Sequence, residues 1–409
     1  MNISSKSNLN KNIKHIEGFK FITFNAKVKE KSVRDDFLII IMDDKSKVSA
    51  VFTKNKYCAA PVLIAKKNLK NSTKLLVINS GNANAGTGKK GEQDVEKINH
   101  KLATLFSIKP SQVLPFSTGV ILQPMPVARI MKSFEKYLTK PFLFKSDWLD
   151  AAKAIMTTDT IPKAISKTFN IDGHKISCTG IAKGSGMINP NMATMLAFIM
   201  LDVSISQKML NELIKQVVAK SFNLITVDGD TSTNDSLVIA SSNKAANEVI
   251  KTKNKYYFEL EKHLIAIAKT LAQAIVRDGE GATKFVEIEI KNAKNISEVS
   301  TVGKVIANSP LVKTAFFASD PNLGRILAAI GNVGSINFDP GKIDIKLNNS
   351  IVIRNGQLAK SYSEEKAFLA MKKKEFKLSI NLKRGSVTES VFTTDFSYDY
   401  VKINAEYRS

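Results

Sequence analysis

A short segment near the middle of the chain, residues 183–195, combines a candidate nucleophile with residues that break regular structure. It reads KGSGMINPNMATM, in which Gly184, Gly186 and Pro190 interrupt any continuous helix and an apolar run begins directly after Thr194. A threonine between an irregular turn and a buried element is a candidate nucleophile. The same position is typical of a helix N-cap, whose hydroxyl accepts a bond from the helix backbone. From these residues alone, both interpretations stay open.

Two other motifs have the composition of functional loops. A GxGxxG spans residues 86–91, but the predicted strand before it ends near Ser80, too early for the tight turn of a dinucleotide site. We interpret it as a glycine-rich loop. Asp228 and Asp230 follow an apolar run, as in phosphotransferases with a nucleophilic aspartate, but also as in turns whose side chains bond to their own backbone.

The charge of the chain bears on its partners. There are 60 lysine and arginine residues against 37 aspartate and glutamate residues, a formal net charge of +23. This balance also occurs in nucleic-acid-binding proteins, but the cations are scattered and only seven are arginine, the residue that base recognition favours. We therefore predict no nucleic-acid partner and a lysine-rich surface that attracts small anions such as carboxylates.

Length, cysteine and histidine content exclude further classes of protein. A chain of 409 residues can bury a core without disulfides or structural metal. Its two cysteines and four histidines lack the spacing of metal ligands, so we predict no metal site. Residues 1–14 are polar, and apolar runs such as 37–42 are too short to span a bilayer. We predict a cytoplasmic protein with no membrane partner.

The elements that must position the candidate residues alternate along the chain. Apolar spacing predicts helices at 92–107, 207–222 and 257–276, and strands at 37–42, 75–79, 286–290, 343–347 and 376–382. The last three strands alternate with period two, which is typical of half-buried strands. A helical middle followed by a strand-rich final third predicts an α/β fold of mixed sheets layered with helices, at least partly antiparallel.

Nine blocks occur in order from residue 51 to the end of the chain. They are VFTKNKYCAAPV at 51–62, NSGNANAGTG at 79–88, STGVI at 117–121, IMTTDTIPK at 155–163, KGSGMINPNMATML at 183–196, TVDGDTSTND at 226–235, VRDGEGATKF at 276–285, SDPNLGRILAAIG at 319–331 and TDFSYDYVKINAEYRS at 394–409. Together they resemble the ornithine acetyltransferase family of arginine biosynthesis, also called glutamate N-acetyltransferase. Two positions depart from the family pattern: Gly86 stands where the family has a cysteine, and Leu323 where it has an aromatic residue. Neither position is given a chemical role, so the departures concern local packing and not activity.

This resemblance implies a precursor that cuts itself between Ala193 and Thr194. The fragments 1–193 and 194–409 then stay together, usually as two copies of each, with the pocket between the two halves. Cleavage frees the α-amine of Thr194, which becomes the general base for its own hydroxyl. An α-amine has a pKa of about 7.7 to 8.0, so it can take up and return a proton near neutrality. No histidine is needed.

The resemblance also implies the reaction. N-acetylornithine gives its acetyl group to Thr194, and glutamate then takes it from the threonine ester, without a diffusible cofactor. The Thr118 hydroxyl and the Gly119 backbone N–H bind the oxyanion, and such donors are typically worth about 3 to 4 kcal/mol each. The aspartates in 226–235 shape the site from behind and receive no catalytic role. Some family members also use acetyl-CoA, which the sequence does not decide.

Substrate-binding residues follow from the same resemblance. They are Thr157, Lys183, Glu280, Asn404 and the terminal Ser409, together with the nucleophile itself. Glu280 is expected to face the substrate amino group, with Asn404 and Ser409 closing the pocket. Taken singly, each has a plainer explanation: Lys183 as a surface residue, Glu280 as a loop carboxylate and Ser409 as part of a frayed tail.

The main alternative is a related N-terminal-nucleophile amidase or aminopeptidase. In such an enzyme water, and not glutamate, accepts the acyl group. A lysine-rich nucleic-acid-binding protein is the second alternative. Binding that falls steeply with salt and survives Thr194→Ala would favour it.

Overall fold

A computed structural model describes residues 9–139, 142–144, 147–189 and 195–406. The strands within these ranges are β1 (Phe19–Phe24), β2 (Phe37–Met42), β3 (Lys47–Phe52), β4 (Leu75–Asn82), β5 (Val113–Val120), β6 (Lys163–Ile171), β7 (His174–Lys183), β8 (Leu196–Leu201), β9 (Ser236–Ser241), β10 (Phe285–Ala293), β11 (Asp344–Leu347), β12 (Ser350–Arg354), β13 (Gln357–Leu358), β14 (Glu375–Asn381) and β15 (Val387–Thr394). The helices are α1 (Ala60–Asn68), α2 (Gly88–Phe106), α3 (Val127–Tyr137), α4 (Trp148–Ala154), α5 (Gln207–Ala219), α6 (Lys255–Arg277), α7 (Ile296–Ala307), α8 (Pro310–Ala318), α9 (Leu323–Gly331), α10 (Glu364–Met371) and α11 (Tyr398–Ala405).

Two sheets pack face to face and carry helices on their outer faces. The first has the order β1-β2-β4-β5 and the second β3-β9-β8-β7-β6. Ile40 and Phe116 of the first sheet share one buried cluster with Phe198 and Val238 of the second. Ile39, the neighbour of Ile40 in β2, instead packs with α2 and α3, since successive side chains of a strand point to opposite faces. On the far side, α5 and α6 cover the second sheet.

A third, six-stranded sheet forms a separate core. Its order is β13-β12-β11-β14-β10-β15, with β10 and β14 parallel and β10 and β15 antiparallel. Residues of α7, α8, α9 and α10 pack against it. The three mixed sheets with their helices confirm the predicted α/β class and its partly antiparallel character.

The predicted elements are confirmed, with differences at their ends. The strand at 37–42 is found as predicted, and the helix predicted at 257–276 is α6. The helix predicted at 207–222 ends at Ala219, because Phe222, although buried like the apolar residues of α5, begins a separate 3₁₀ turn. The strand predicted at 75–79 continues to Asn82, since β4 keeps its parallel pairing with β5 as far as Val120.

The apolar run after Thr194 forms a strand, β8, and not a helix. It pairs antiparallel with β7 and parallel with β9, so the helix-cap interpretation of Thr194 is wrong. The boundary predicted at 193/194 lies between β7 and β8, two neighbouring strands of the same sheet. Both predicted fragments therefore contribute strands to one hydrogen-bonded layer.

Candidate active site

One cavity of about 290 Å³ collects the predicted site residues. It lies where β5 and β7 end and where β8 begins. The predicted residues that line it are Thr118, Gly119, Thr157, Lys183, Glu280 and Asn404. Three further predicted residues, Ala193, Thr194 and Ser409, lie outside the described ranges. The described residues thus come from five separate segments of the chain and lie around one cavity.

Lys183, the last residue of β7, joins two threonines of the cavity wall. Its Nζ donates to Thr118 Oγ1 at 3.1 Å and to Thr157 Oγ1 at 2.7 Å. Burial lowers the pKa of Lys183, while Asp159 opposes that shift. Because the ammonium group has no acceptor, both hydroxyls must accept from it, and each keeps its own O–H to donate elsewhere. This orientation suits Thr118 as an oxyanion donor.

Gly119 brings β5 very close to β4 beside the cavity. Its φ of +134° lies in the region that favours glycine. A Cβ at this position would lie 2.2 Å from the carbonyl carbon of Gly81 on β4. A side chain at position 119 would therefore push apart the two strands that hold the Thr118–Gly119 pair.

Replacing this glycine is our first prediction. Gly119→Ala is expected to lower both the free energy of unfolding, by about 1 to 3 kcal/mol from backbone strain alone, and the rate of the acetyl transfer that the resemblance implies. Gly88→Ala is a matched control, since Gly88 also has a positive φ, +58°, but nothing lies within 4 Å of its added Cβ. Urea unfolding and kcat measured on both variants check this. Equal losses of stability and kcat in the two variants would contradict the role given to the close contact between Gly119 and Gly81.

The Glu280 carboxylate lies in the cavity against Gly186, and the lack of a side chain at Gly186 leaves room for it. A Cβ on Gly186 would lie 2.3 Å from Glu280 Oε2, so a larger residue would displace the carboxylate. The Glu280 backbone N–H donates to the Ser185 carbonyl at 2.9 Å. Asn404, on α11, donates from Nδ2 to Glu280 Oε2 at 3.1 Å. The predicted pair Glu280 and Asn404 is thus in direct contact.

The aspartates of residues 226–235 have two different positions. Asp228 lies behind the site as predicted: its carboxylate accepts from the backbone N–H groups of Met187, at 2.6 Å, and Ile188, at 2.9 Å. Burial raises the pKa of this carboxyl. Asp235 corrects the expectation, because it lines the cavity directly and is buried. The sequence did not indicate that Asp235 lines the cavity, because its position depends on where the chain enters β9, which begins at Ser236.

The backbone on both sides of residues 190–194 borders the same cavity. Ile188 and Met195 both line it. The Met195 carbonyl accepts from the Ser236 backbone N–H at 2.8 Å, at the first β8–β9 pair, Leu196 with Ser236. The described neighbours of the predicted nucleophile are therefore held by the strand pairing and by Asp228.

The charges around the cavity suit amino-acid substrates. One ammonium group, Lys183, stands with two carboxylates, Asp235 and Glu280. A cation can bind a substrate carboxylate and a carboxylate can bind a substrate ammonium group. N-acetylornithine and glutamate, the substrates that the resemblance implies, each carry groups of both kinds.

Two structural findings concern metal binding and membrane spanning. Within the described ranges, no three His, Cys, Asp or Glu side chains are grouped so as to hold a metal ion. In those same ranges, no helix has the length and apolar character needed to cross a bilayer.

Comparison with known proteins identifies close relatives over almost the whole chain. A family model described as the ArgJ family matches residues 20–409. The arginine biosynthesis bifunctional protein ArgJ of Neisseria meningitidis is 47% identical over 398 residues, 96% of each chain. The protein of the same name from Pseudomonas fluorescens is 45% identical over 395 residues, 96% of this chain and 97% of its own.

Solved structures of similar proteins match parts of the chain. The crystal structure of ArgJ from Bacillus halodurans has a TM-score of 0.49 and 38% identity, covering 51% of this chain and 98% of its own. The ornithine acetyltransferase of Mycobacterium tuberculosis, complexed with ornithine, has a TM-score of 0.37 and 26% identity, covering 44% of this chain and 94% of its own.

Proposed function

The chain belongs to the ArgJ family and is an acetyltransferase of arginine biosynthesis, and on that premise we propose that it moves the acetyl group of N-acetylornithine to glutamate through an acetyl ester of Thr194. The resemblance found in the sequence is thereby confirmed. One observation carries the residue assignment: six residues predicted from five separate blocks line one cavity. The roles below remain our proposal.

The first step is self-cleavage. Thr194 Oγ attacks the Ala193 carbonyl carbon, and the peptide C–N bond breaks as an ester to Oγ forms and the α-amine takes the proton. Water then hydrolyses the ester, which leaves a carboxylate on Ala193 and frees the Thr194 hydroxyl. The freed α-amine is the general base for the later steps.

Acetyl transfer then takes two half-reactions. The α-amine accepts the hydroxyl proton as Thr194 Oγ attacks the acetyl carbonyl of N-acetylornithine. The tetrahedral oxyanion accepts hydrogen bonds from the Thr118 hydroxyl and the Gly119 N–H. When the amide C–N bond breaks, the α-ammonium returns the proton to the leaving ornithine. Glutamate attacks the resulting ester by the same steps in reverse, and N-acetylglutamate leaves.

The remaining residues bind and orient the substrates. Lys183 holds the Thr118 hydroxyl so that its proton is directed away from the ammonium group, and it also faces the carboxylate of the substrate. Glu280, fixed by Asn404, faces the substrate ammonium group. Ser409 closes the pocket together with Asn404. Proximity and orientation of this kind supply a large part of the rate of an acyl transfer.

The test is the fate of the acetyl group. Enzyme given N-acetylornithine labelled in its acetyl group, with glutamate in excess, is expected to place the label in N-acetylglutamate. A matched reaction without glutamate measures transfer to water. If the label appears only in acetate whether or not glutamate is added, the enzyme is the alternative N-terminal-nucleophile amidase and the transferase proposal is wrong.

We also propose acetyl-CoA as a second donor. The curated relatives are called bifunctional, and a thioester carbonyl can be attacked by the same Thr194 hydroxyl beside the same oxyanion donors. Enzyme, acetyl-CoA and glutamate, with no N-acetylornithine, are expected to give N-acetylglutamate. Lack of product from an enzyme that uses N-acetylornithine would limit it to one donor.

We further propose that the two fragments remain together, with two copies of each, in the cytoplasm. The shared sheet supports their association, because β7 and β8 lie on opposite sides of the cut and are hydrogen-bonded along six residue pairs. Gel filtration coupled to light scattering, followed by a denaturing gel, measures both points. Separation of the fragments under native conditions would contradict the proposal.

A further inference from the structure

We propose that Asp159 is a positioning residue of the acetyl-transfer site, which holds Thr157 against Lys183 and supplies the negative charge that faces the Lys183 ammonium group. The inference rests on the proposed function, because it concerns two residues of that site. Asp159 acts with two partners, Lys163 and Asp278. These three side chains are called the buried bridge below.

The buried bridge is an ion pair network closed off from solvent. Lys163 Nζ lies 2.7 Å from Asp159 Oδ1 and 2.6 Å from Asp278 Oδ2. The side chains of Lys163 and Asp159 are 0% exposed and that of Asp278 is 1% exposed. Charged groups are rarely buried so fully unless they are paired. Burying three of them directly behind a substrate cavity points to a role at the cavity.

Asp159 joins the two segments that carry Thr157 and Lys183. Its Oδ2 accepts from the Thr157 backbone N–H at 3.0 Å. Its Oδ1 accepts at 2.7 Å from the backbone N–H of Gly184, the residue directly after Lys183. One carboxylate therefore fixes both backbones, and the Thr157 and Lys183 side chains meet at 2.7 Å.

Asp278 connects the segment that carries Glu280 to the buried bridge. Its Oδ2 accepts from the Thr160 backbone N–H at 3.0 Å, and it stands two residues before Glu280. Because Lys163 links Asp278 to Asp159, the positions of Thr157, Lys183 and Glu280 all depend on one buried network.

The charges around Lys183 show how Asp159 acts on it. The negative charges of Asp159, Asp235 and Glu280 raise the pKa of Lys183, and the positive charge of Lys163 lowers it. Burial lowers the pKa of Lys183, and Asp159 is the strongest influence in the other direction. Burial would also raise the pKa of Asp159, but Lys163 and Lys183 hold it below its ordinary value. Asp159 is therefore ionised at neutral pH and favours the charged Lys183.

A purely structural bridge would also be costly to break, so the test compares two variants that break it with opposite charge changes. Asp159→Asn removes a negative charge near Lys183, which lowers the Lys183 pKa. Lys163→Met removes a positive charge, which raises it. In the pH profile of kcat/KM, the rising limb belongs to the Thr194 amine and the falling limb to loss of the Lys183 proton.

We expect Asp159→Asn to move the falling limb to lower pH by about one unit, the lower end of the shift from an adjacent opposite charge. At pH values above that limb, its kcat/KM is expected to fall about tenfold, chiefly through KM, because a one-unit shift lowers the protonated fraction of Lys183 tenfold there. Lys163→Met is expected to move the falling limb to higher pH. If only one variant folds, the direction of its own shift decides.

Asp344→Asn is the matched control, because Asp344 is a carboxylate of another sheet that accepts from Asn355 N–H at 2.8 Å and pairs with Lys383 at 3.0 Å. It is expected to lower Tm and to leave both limbs in place. Falling limbs that stay fixed, or that move the same way in both bridge variants, would overturn the inference. A wild-type enzyme that is uncut at Thr194 or transfers no acetyl group would instead overturn the proposed function.

Discussion

The Thr194→Ala chain is expected to remain one uncut polypeptide and to transfer no measurable acetyl group. Both reactions begin with attack by the Thr194 hydroxyl, so alanine removes them together. Loss of a hydroxyl nucleophile typically lowers kcat by a factor on the order of 10⁶. A denaturing gel, the intact mass and the rate of N-acetylglutamate formation measure the two effects.

Thr194→Ser is the matched control, since serine keeps the hydroxyl and, once freed, the α-amine. It is expected to be cut at the same bond and to retain measurable transfer. Cleavage after residue 193 in Thr194→Ala, or transfer by that variant near the wild-type rate, would show that another group is the nucleophile.

Thr118→Val is expected to lower kcat for acetyl transfer by about 10²- to 10³-fold, the usual effect of losing one oxyanion donor. Valine has nearly the shape of threonine but cannot donate to the oxyanion. It also removes the acceptor that Lys183 Nζ contacts at 3.1 Å. The donor acts mainly in the transition state, so KM should change little. Both kcat and KM are measured on fragments whose cleavage is first verified by mass.

Thr158→Val controls for the loss of a hydroxyl in the same cavity. Thr158 also lines the cavity, but its Oγ1 is bonded to Ser185 Oγ at 2.8 Å. Its kcat is expected to stay within a few fold of the wild type, a small change beside the effect of a lost oxyanion donor. Equal losses in the two variants would remove Thr118 from the oxyanion hole.

Local patterns predicted the α/β class and some of its helices and strands. The run 37–42 could be placed as a buried strand because six successive apolar residues in a short segment fit a strand covered on both faces. The end of α5 could not be placed, because Phe222 continues the apolar pattern while its backbone turns away. The strand after Thr194 was equally ambiguous, since a short buried run looks alike as strand or helix until its neighbours are known.

The site was predictable where its residues lie in recognisable blocks. Thr118, Lys183 and Glu280 each stand in such a block, and the cavity brings them together. The buried bridge was missed because burial is not visible in the sequence. Lys163 and Asp278 are 115 positions apart and look like ordinary exposed charges, which lysine and aspartate usually are.

The most direct test of the account is to find where the acetyl group rests between the two half-reactions. Enzyme mixed with N-acetylornithine and quenched in acid, without glutamate, should yield a fragment that begins at Thr194 and is heavier by one acetyl group. Peptide sequencing should place that group on the threonine Oγ, and added glutamate should remove it. A fully active enzyme whose fragments never carry the acetyl group, or that carries it elsewhere, would contradict the account.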